Sequence, residues 1–267
     1  MNISFWSPFR GNSVTNNVTA ISYTVMYLYG LKSIVFQSEY DYNNLEMSFM
    51  DCTNSGQVKE EFIYYIDGGI DAVLNNISDK KEASIKEYAV EVIKDNAFYL
   101  PSTKKNSRVV YEERMNNMIS DILNKCNREF EVSFIDNSSG YDTICNKINE
   151  LSDMVIVNFM DNSKEIDAFM KLNFMDRDRT FYIINNSDNR KGFYKKGFCD
   201  KYRVPMNRVY EISQCDRYKE ALKNGNAKQF IRRNLNALDE QSNDMFISDI
   251  KQIAKMIVRE LEGYARR

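Results

Sequence analysis

Short apolar runs alternate along the chain with segments whose apolar residues recur at helical spacing. Ile3–Trp6 is a β-prone run that Ser7 and Pro8 terminate. Val18–Leu31 has helical spacing, and Ser33–Phe36 is a second short apolar run. A strand, a helix and a second strand in this order predict a βαβ unit with two parallel strands.

The alternation continues to the end of the chain. Further strands are predicted at Ala97–Leu100, Glu131–Ile135, Met154–Asn158, Thr180–Ile184 and Val209–Ile212. Residues 47–97 are interpreted as mostly helical, and later helices are predicted at Tyr111–Cys126, Ile144–Leu151, Ile166–Leu172, Tyr218–Asn234 and Phe246–Tyr264. The pattern predicts one α/β domain over residues 1–267, with a mostly parallel central sheet flanked by helices.

Composition excludes several kinds of chemistry. The chain has 267 residues, of which 43% are hydrophobic, and this suits one domain with a substantial core. The absence of histidine removes the serine triad and most zinc and haem chemistry. The five cysteines are scattered and form no CxxC pair, so no disulfide framework or zinc site is indicated. Because we find no signal peptide and no run of about 18 apolar residues, we expect a cytoplasmic protein.

Charge is unevenly distributed along the chain. Between Arg177 and Arg233 there are 15 Lys and Arg residues against six Asp and Glu residues, a net charge of +9 in a chain whose total is −2. This segment is one candidate surface for non-specific DNA, because cations that neutralise phosphates release counterions. The other interpretation is that these charges lie on solvated helix faces that point in different directions.

The loop after the first strand is a candidate phosphate site. Ligands of open α/β sheets bind beyond the carboxyl ends of the strands, and the loop SPFRGNSVTNN lies there. A Walker A loop needs glycines for a close backbone approach and a lysine for the terminal phosphates, whereas this loop has only Gly11 and no lysine. Loop chemistry alone favours an ordinary polar turn.

Several segments nevertheless match one family in order and spacing. FWSPFRGNSVTNN, KSIVFQSEYD and FEVSFIDNSSG correspond to a strand with a KGGxGK(T/S) loop, a strand with DxD, and a Walker B strand close to YDxxxIDTPPG. ELSDMVIVNFMDN, RTFYIINNSDNR and VYEISQCDRYKEALKNGN correspond to later strands. Over essentially its whole length the chain resembles the ParA/MinD family of deviant Walker A ATPases, which implies a three-layer P-loop NTPase-like fold.

The resemblance implies a degenerate nucleotide site in the first loop. It puts Arg10 at the signature lysine, Thr15 at the Walker lysine and Asn16 at the magnesium-binding Thr/Ser position. The implied cofactor-binding residues of this loop are Arg10, Gly11, Asn12, Ser13, Thr15 and Asn16. Some divergent relatives, the TadZ-like pilus-positioning proteins, also have threonine at the lysine position. We therefore expect binding of ATP and Mg²⁺ to be weak or lost.

Two other strands supply the implied catalytic positions. Gln37 replaces the first aspartate of DxD, Glu39 stands at the second, and Asp136 keeps the Walker B carboxylate. The resemblance implies that Asp136 and Asn16 form the metal site. The alternative role of Asp136 is to cap the following turn. Either Asn185 or Asn186 matches the asparagine that commonly reads adenine, and the alternative is that both only end a strand.

The resemblance also implies a function. It predicts a bacterial ParA/MinD-like positioning or partitioning protein that acts as a nucleotide-gated homodimer with weak or absent ATP hydrolysis. The alternative is a non-hydrolysing scaffold that localises a pilus, secretion or conjugation apparatus through protein contacts. Arg10 either reaches into the partner's site of the dimer or is a solvated loop residue. The apolar face of the last helix suits a core better than a membrane anchor, so we expect no stable membrane insertion.

Overall fold

The computed structural model describes residues 1–40, 44–50, 68–103, 107–172, 176–186, 193–236 and 245–264. The strands are β1 (Asn2–Trp6), β2 (Ser33–Gln37), β3 (Val90–Ile93), β4 (Ala97–Tyr99), β5 (Val132–Asp136), β6 (Met154–Met160), β7 (Thr180–Asn186) and β8 (Val209–Ser213). The helices are α1 (Val14–Tyr29), α2 (Asn44–Phe49), α3 (Gly69–Ser78), α4 (Arg108–Glu129), α5 (Thr143–Leu151), α6 (Ser163–Met170), α7 (Phe193–Tyr202), α8 (Asp216–Lys223), α9 (Ala227–Leu235) and α10 (Met245–Tyr264).

The eight strands form one sheet in the order β3-β4-β2-β5-β1-β6-β7-β8. Neighbouring strands run parallel, apart from the antiparallel pair of β3 and β4 at one edge. The predicted α/β fold with a mostly parallel sheet is confirmed. β1 lies in the middle of the sheet, so the loop that follows it is flanked by the ends of β5 and β6.

Helices cover both faces of the sheet, because alternate residues of each strand point to opposite sides. In β7, Phe181 and Ile183 pack in one core cluster with residues of α1, α9 and α10. Tyr182 and Ile184 pack in another with residues of α6 and α7. The domain therefore has three layers, and its three core clusters lie between the sheet and the helices on either face.

The last helix closes the core. Phe246, Ile250, Ile253 and Ile257 of α10 are at most 3% exposed and belong to the same cluster as α1 and α9. The interpretation of its apolar face as a core face is thus confirmed. No helix in the described ranges is long and apolar enough to cross the bilayer.

Three elements differ from the prediction. The segment read as mostly helical contains β3, whose four residues are too short for a clear period, and its residues 51–67 lie outside the described ranges. α7 was not predicted. The predicted helix Tyr218–Asn234 is two helices, because Gly225 between α8 and α9 adopts a left-handed φ of +66°.

Candidate nucleotide site

Loop 1 (Ser7–Ser13) leaves the carboxyl end of β1 and enters α1. Its backbone turns through two left-handed residues, Gly11 at φ +83° and Ser13 at φ +60°. The first N–H groups of α1 have no acceptor within the helix, and the helix dipole makes this end positive. The start of the helix is therefore suited to an anion, as in phosphate-binding loops.

Thr15 lies against the predicted Walker B carboxylate. Its Oγ1 donates a hydrogen bond to Oδ2 of Asp136 at 2.8 Å. Asp136 ends β5, is 4% exposed, and is aligned with Phe5 of β1 and Gln37 of β2. Because the neighbouring strands are parallel and in register, the second residue of α1 lies over the end of β5.

Asn16 lies on a different side of α1. Its carbonyl oxygen accepts a hydrogen bond of 2.9 Å from the Tyr218 hydroxyl, and its side chain lines a small cavity beside the loop after β8. Thr15 is thus in direct contact with Asp136, whereas the Asn16 carbonyl faces Tyr218. A shift of one residue along the helix explains this, since successive positions differ by about 100°.

The cavity beside Asn16 is nearly filled. Tyr218 is buried and stacks on Phe246 with ring centroids 4.7 Å apart. Burial raises the pKa of Tyr218 well above its usual value, so the hydroxyl remains a donor at neutral pH. The cavity volume is about 60 Å³, whereas ligand pockets usually measure roughly 300 to 1,000 Å³. The cavity is thus smaller than an ordinary ligand pocket.

Four buried asparagines lie under loop 1. Nδ2 of Asn17 donates to Oδ1 of Asn158 at 2.8 Å and to Oδ1 of Asn185 at 3.0 Å. Nδ2 of Asn185 donates to the carbonyl oxygens of Asn12 at 3.2 Å and Phe159 at 3.0 Å. We call Asn12, Asn17, Asn158 and Asn185 the asparagine cluster, and each of its members is at most 7% exposed.

One of the two candidate base-reading residues, Asn185, belongs to this cluster. The oxygen of the Asn185 amide accepts from Asn17 of α1, and its nitrogen donates to loop 1 and to β6. Asn186 ends β7, and its side chain lies outside the described part of the chain. Sequence reasoning missed Asn17 and Asn158, although an asparagine inside the apolar run MVIVNFM was a usable signal, since a buried amide needs partners.

A second polar cluster lies under the loop after β5. Nδ2 of Asn137 donates to Oγ of Ser4 at 3.2 Å and to Oδ1 of Asn149 at 3.1 Å. Ser38 Oγ donates to Oδ1 of Asn137 at 2.9 Å. These bonds connect β1, the end of β2 and α5, so the chain segments around Asp136 are fixed by neutral side chains.

Solved structures share this architecture at low sequence identity. The ParA family ATPase from Chlorobium tepidum TLS matches with a TM-score of 0.70 and 13% identity over 95% of this chain and 98% of its own. This chain has the ParA/MinD fold. The septum site-determining protein MinD from Pyrococcus horikoshii OT3, complexed with Mg-ADP, matches with a TM-score of 0.66 and 13% identity over 96% and 95% of the two chains.

A third ParA/MinD-fold structure is that of a putative plasmid partition protein from Borrelia burgdorferi B31 bound to AMPPNP. Its TM-score is 0.65, with 13% identity over 97% of this chain and 98% of that one. Comparison of the sequence with protein-family models and with curated proteins finds no match.

In this ParA/MinD fold Arg10 lies at the surface next to the loop after β2. Its side chain is 79% exposed, and its guanidinium lies 4.0 Å from a carboxylate oxygen of Glu39, which is 29% exposed. At this distance and exposure the pair contributes little to stability. The predicted signature residue and the predicted catalytic glutamate are therefore neighbours.

The basic segment of the ParA/MinD fold is divided between the two helical layers. Lys195 and Lys196 belong to α7, whereas Arg232 and Arg233 belong to α9 on the opposite face of the sheet. The backbone N–H of Lys195 bonds to Glu211, and its ammonium lies over the Tyr210 ring. Arg190 and Lys191 lie outside the described residues. The described basic residues of the 177–233 segment therefore lie on both faces of the sheet.

The face of α9 and α10 is the more uniform of the two. α9 carries Lys228, Arg232 and Arg233 and has no acidic residue. The exposed side of α10 adds Lys251 and Lys255, and its Asp249 is buried against Ser213. Because α10 also carries exposed Glu260 and Glu262, the positive charge without acidic neighbours in the same helix lies on α9.

The residues at loop 1 fit a nucleotide only in part. A hydroxyl and a carboxylate are the oxygen donors that Mg²⁺ accepts, and Thr15 and Asp136 supply one of each. No lysine stands in loop 1, and the cavity that Tyr218 helps to line is small. Within the described ranges, groups of three or more His, Cys, Asp or Glu side chains that could hold a metal are absent. Loop 1 and the adjoining elements therefore supply oxygen donors for Mg²⁺ but no lysine for the terminal phosphates.

Proposed function

We propose that this protein is a ParA/MinD-like positioning or partitioning factor that works without efficient ATP hydrolysis. The observation that carries the proposal is the contact between Thr15 and Asp136 in a loop without lysine. The fold likeness over 95% or more of the chain supports the general role. The loop chemistry supports the loss of catalysis.

The register of loop 1 follows from that contact. In a Walker A loop the lysine directly precedes the Ser/Thr that faces magnesium. With Thr15 as that hydroxyl, Val14 stands at the lysine position and Phe9 at the signature position, instead of Thr15 and Arg10. Val14 is 7% exposed and apolar. It supplies none of the positive charge that stabilises a transferring phosphoryl group.

Two forms of this function differ in whether nucleotide binds. The retained Thr15 and Asp136 pair favours a homodimer that is gated by weakly bound nucleotide, and the relatives with Mg-ADP and AMPPNP are consistent with it. The 60 Å³ cavity favours the second form, a scaffold that localises a larger apparatus through protein contacts.

Localisation in a living cell tests the proposal. A fluorescent fusion expressed in the source bacterium is expected to take up defined positions. Those positions should persist in the Asp136→Ala variant, because positioning does not depend on hydrolysis. Diffuse fluorescence of the wild-type fusion, or positions that disappear with Asp136→Ala while the protein level is unchanged, would contradict it.

A further inference from the structure

We propose that the asparagine cluster holds loop 1 in its ordered conformation without any nucleotide. The inference rests on the proposed function and deepens it, since it says what replaces the ligand. The cluster joins four separate parts of the chain: loop 1 through Asn12, α1 through Asn17, β6 through Asn158 and β7 through Asn185. Loop 1 is thereby tied to the two strands on one side of it.

The bonds of these amides form a connected chain. Asn17 donates to both Asn158 and Asn185, and Asn185 donates to the Asn12 carbonyl oxygen. Nδ2 of Asn158 donates to the carbonyl oxygen of Trp6 at 3.2 Å, directly before loop 1. If loop 1 opened, Asn185 would lose its bond to the Asn12 carbonyl oxygen, and the Met160 N–H would lose its acceptor.

Asn12 fastens the loop itself. Its Oδ1 accepts a hydrogen bond of 3.2 Å from the backbone N–H of Met160, the last residue of β6. Its Nδ2 donates to Oγ of Ser7 at 2.8 Å at the start of the loop. Both ends of loop 1 are therefore connected through one side chain that is 3% exposed.

The cluster consists of neutral amides. Hydrogen bonds between buried neutral groups are screened little by salt, unlike exposed ion pairs. The loop surface that carries Phe9 and Arg10 is thus presented constitutively, whether or not a nucleotide is in solution. A partner that recognises this surface meets one conformation, which lowers the ordering cost of docking.

Hydrogen exchange of the Met160 N–H, measured by NMR on the full chain, tests the inference. This amide reports on loop 1 directly because it donates to Asn12. It is expected to be protected without nucleotide and to stay unchanged in 5 mM Mg-ATP. Asn17→Ala should speed its exchange by about ten-fold or more, since Asn158 and Asn185 lose a donor.

Asn149→Ala is the matched control. It removes an equally buried amide from the second polar cluster, where Asn149 bonds to Ser4 and Asn137. In this variant, the exchange rate of the Met160 N–H divided by that of the β5 strand amides should keep its wild-type value. If Asn17→Ala does not fold, Asn12→Ala, which removes the side chain only at the loop, is measured in its place.

An unprotected Met160 amide in the nucleotide-free wild type, protection that appears only with Mg-ATP, or equal effects of Asn17→Ala and Asn149→Ala would overturn the inference. Hydrolysis is measured separately on the same samples. A protected loop in a protein that turns over ATP rapidly leaves the inference standing and contradicts the proposed function. An unprotected loop in a protein that does not hydrolyse ATP overturns the inference and leaves the proposed function standing.

Discussion

The hydroxyl of Thr15 donates to the buried carboxylate of Asp136 across the boundary between α1 and β5. Thr15→Val removes a donor from a carboxylate that is 4% exposed. We expect the free energy of unfolding to fall by about 1 to 3 kcal/mol. Urea denaturation measures it.

Thr24→Val is the control for that change. The Thr24 hydroxyl lies in the same helix, is fully buried where Thr15 is half-buried, and bonds to the carbonyl oxygen of Ala20 within the helix. Removing the Thr24 hydroxyl should lower the free energy of unfolding by clearly less, because hydrogen bonds from a side chain back to its own helix contribute little. Equal losses for the two variants would mean that the contact with Asp136 is not a stabilising one.

The proposed register of loop 1 predicts which lysine restores a phosphate contact. Val14→Lys should tighten ATP binding by about ten-fold or more, the effect of one hydrogen bond to a charged group. The double change Thr15→Lys, Asn16→Thr should give a smaller gain, because its lysine would face Asp136. Anisotropy of a fluorescent ATP analogue measures both. A larger gain from the double change would show that the register based on Thr15 is wrong.

DNA binding, if the chain has it, should depend on the face of α9 and α10. Arg232→Glu with Arg233→Glu removes charge from that face, where α9 has no acidic residue. In gel shifts at low salt we expect this variant to lose affinity for duplex DNA. Repeating the series at higher salt should weaken wild-type binding steeply.

The matched variant is Lys195→Glu with Lys196→Glu on the opposite face. It makes the same change in net charge and should lower the affinity for DNA only slightly. The reason is that Glu211 already lies beside Lys195 and bonds to its backbone N–H. A stronger effect of the α7 pair would contradict the assignment. Failure of the wild type to bind DNA at low salt would leave a protein partner.

Arg10 is not expected to be needed for dimerisation. Its side chain is 79% exposed and lies beside Glu39 of the same chain. In light scattering with and without Mg-ATP, Arg10→Ala should therefore have the same mass as the wild type. Dissociation of a wild-type dimer by Arg10→Ala would instead indicate that this arginine contacts the partner. A monomer under all conditions would count against a dimer.

Sequence reasoning predicted most of the fold because buried parallel strands and amphipathic helices have distinct periods. β3 was missed because four edge residues carry too little pattern. The break at Gly225 was missed because apolar spacing continues across it. The spacing of apolar residues does not show where one residue inside a helical pattern adopts a left-handed conformation.

The candidate site was harder to predict than the fold. Asp136 was identified from its strand, but the register of loop 1 depends on where α1 begins, and a shift of one residue exchanges Thr15 for Asn16. The asparagine cluster joins residues as distant as Asn17 and Asn185, which are 168 positions apart. Neighbours of that kind are fixed by the order of the strands, which periodicity does not supply.

Hydrolysis of ATP by the purified wild-type protein tests the central claim most directly. Phosphate release in saturating Mg-ATP should be no faster than in the Asp136→Ala variant, because the lysine position holds Val14 and the transferring phosphoryl group lacks a cation. Robust magnesium-dependent release by the wild type that is abolished by Asp136→Ala would contradict the account.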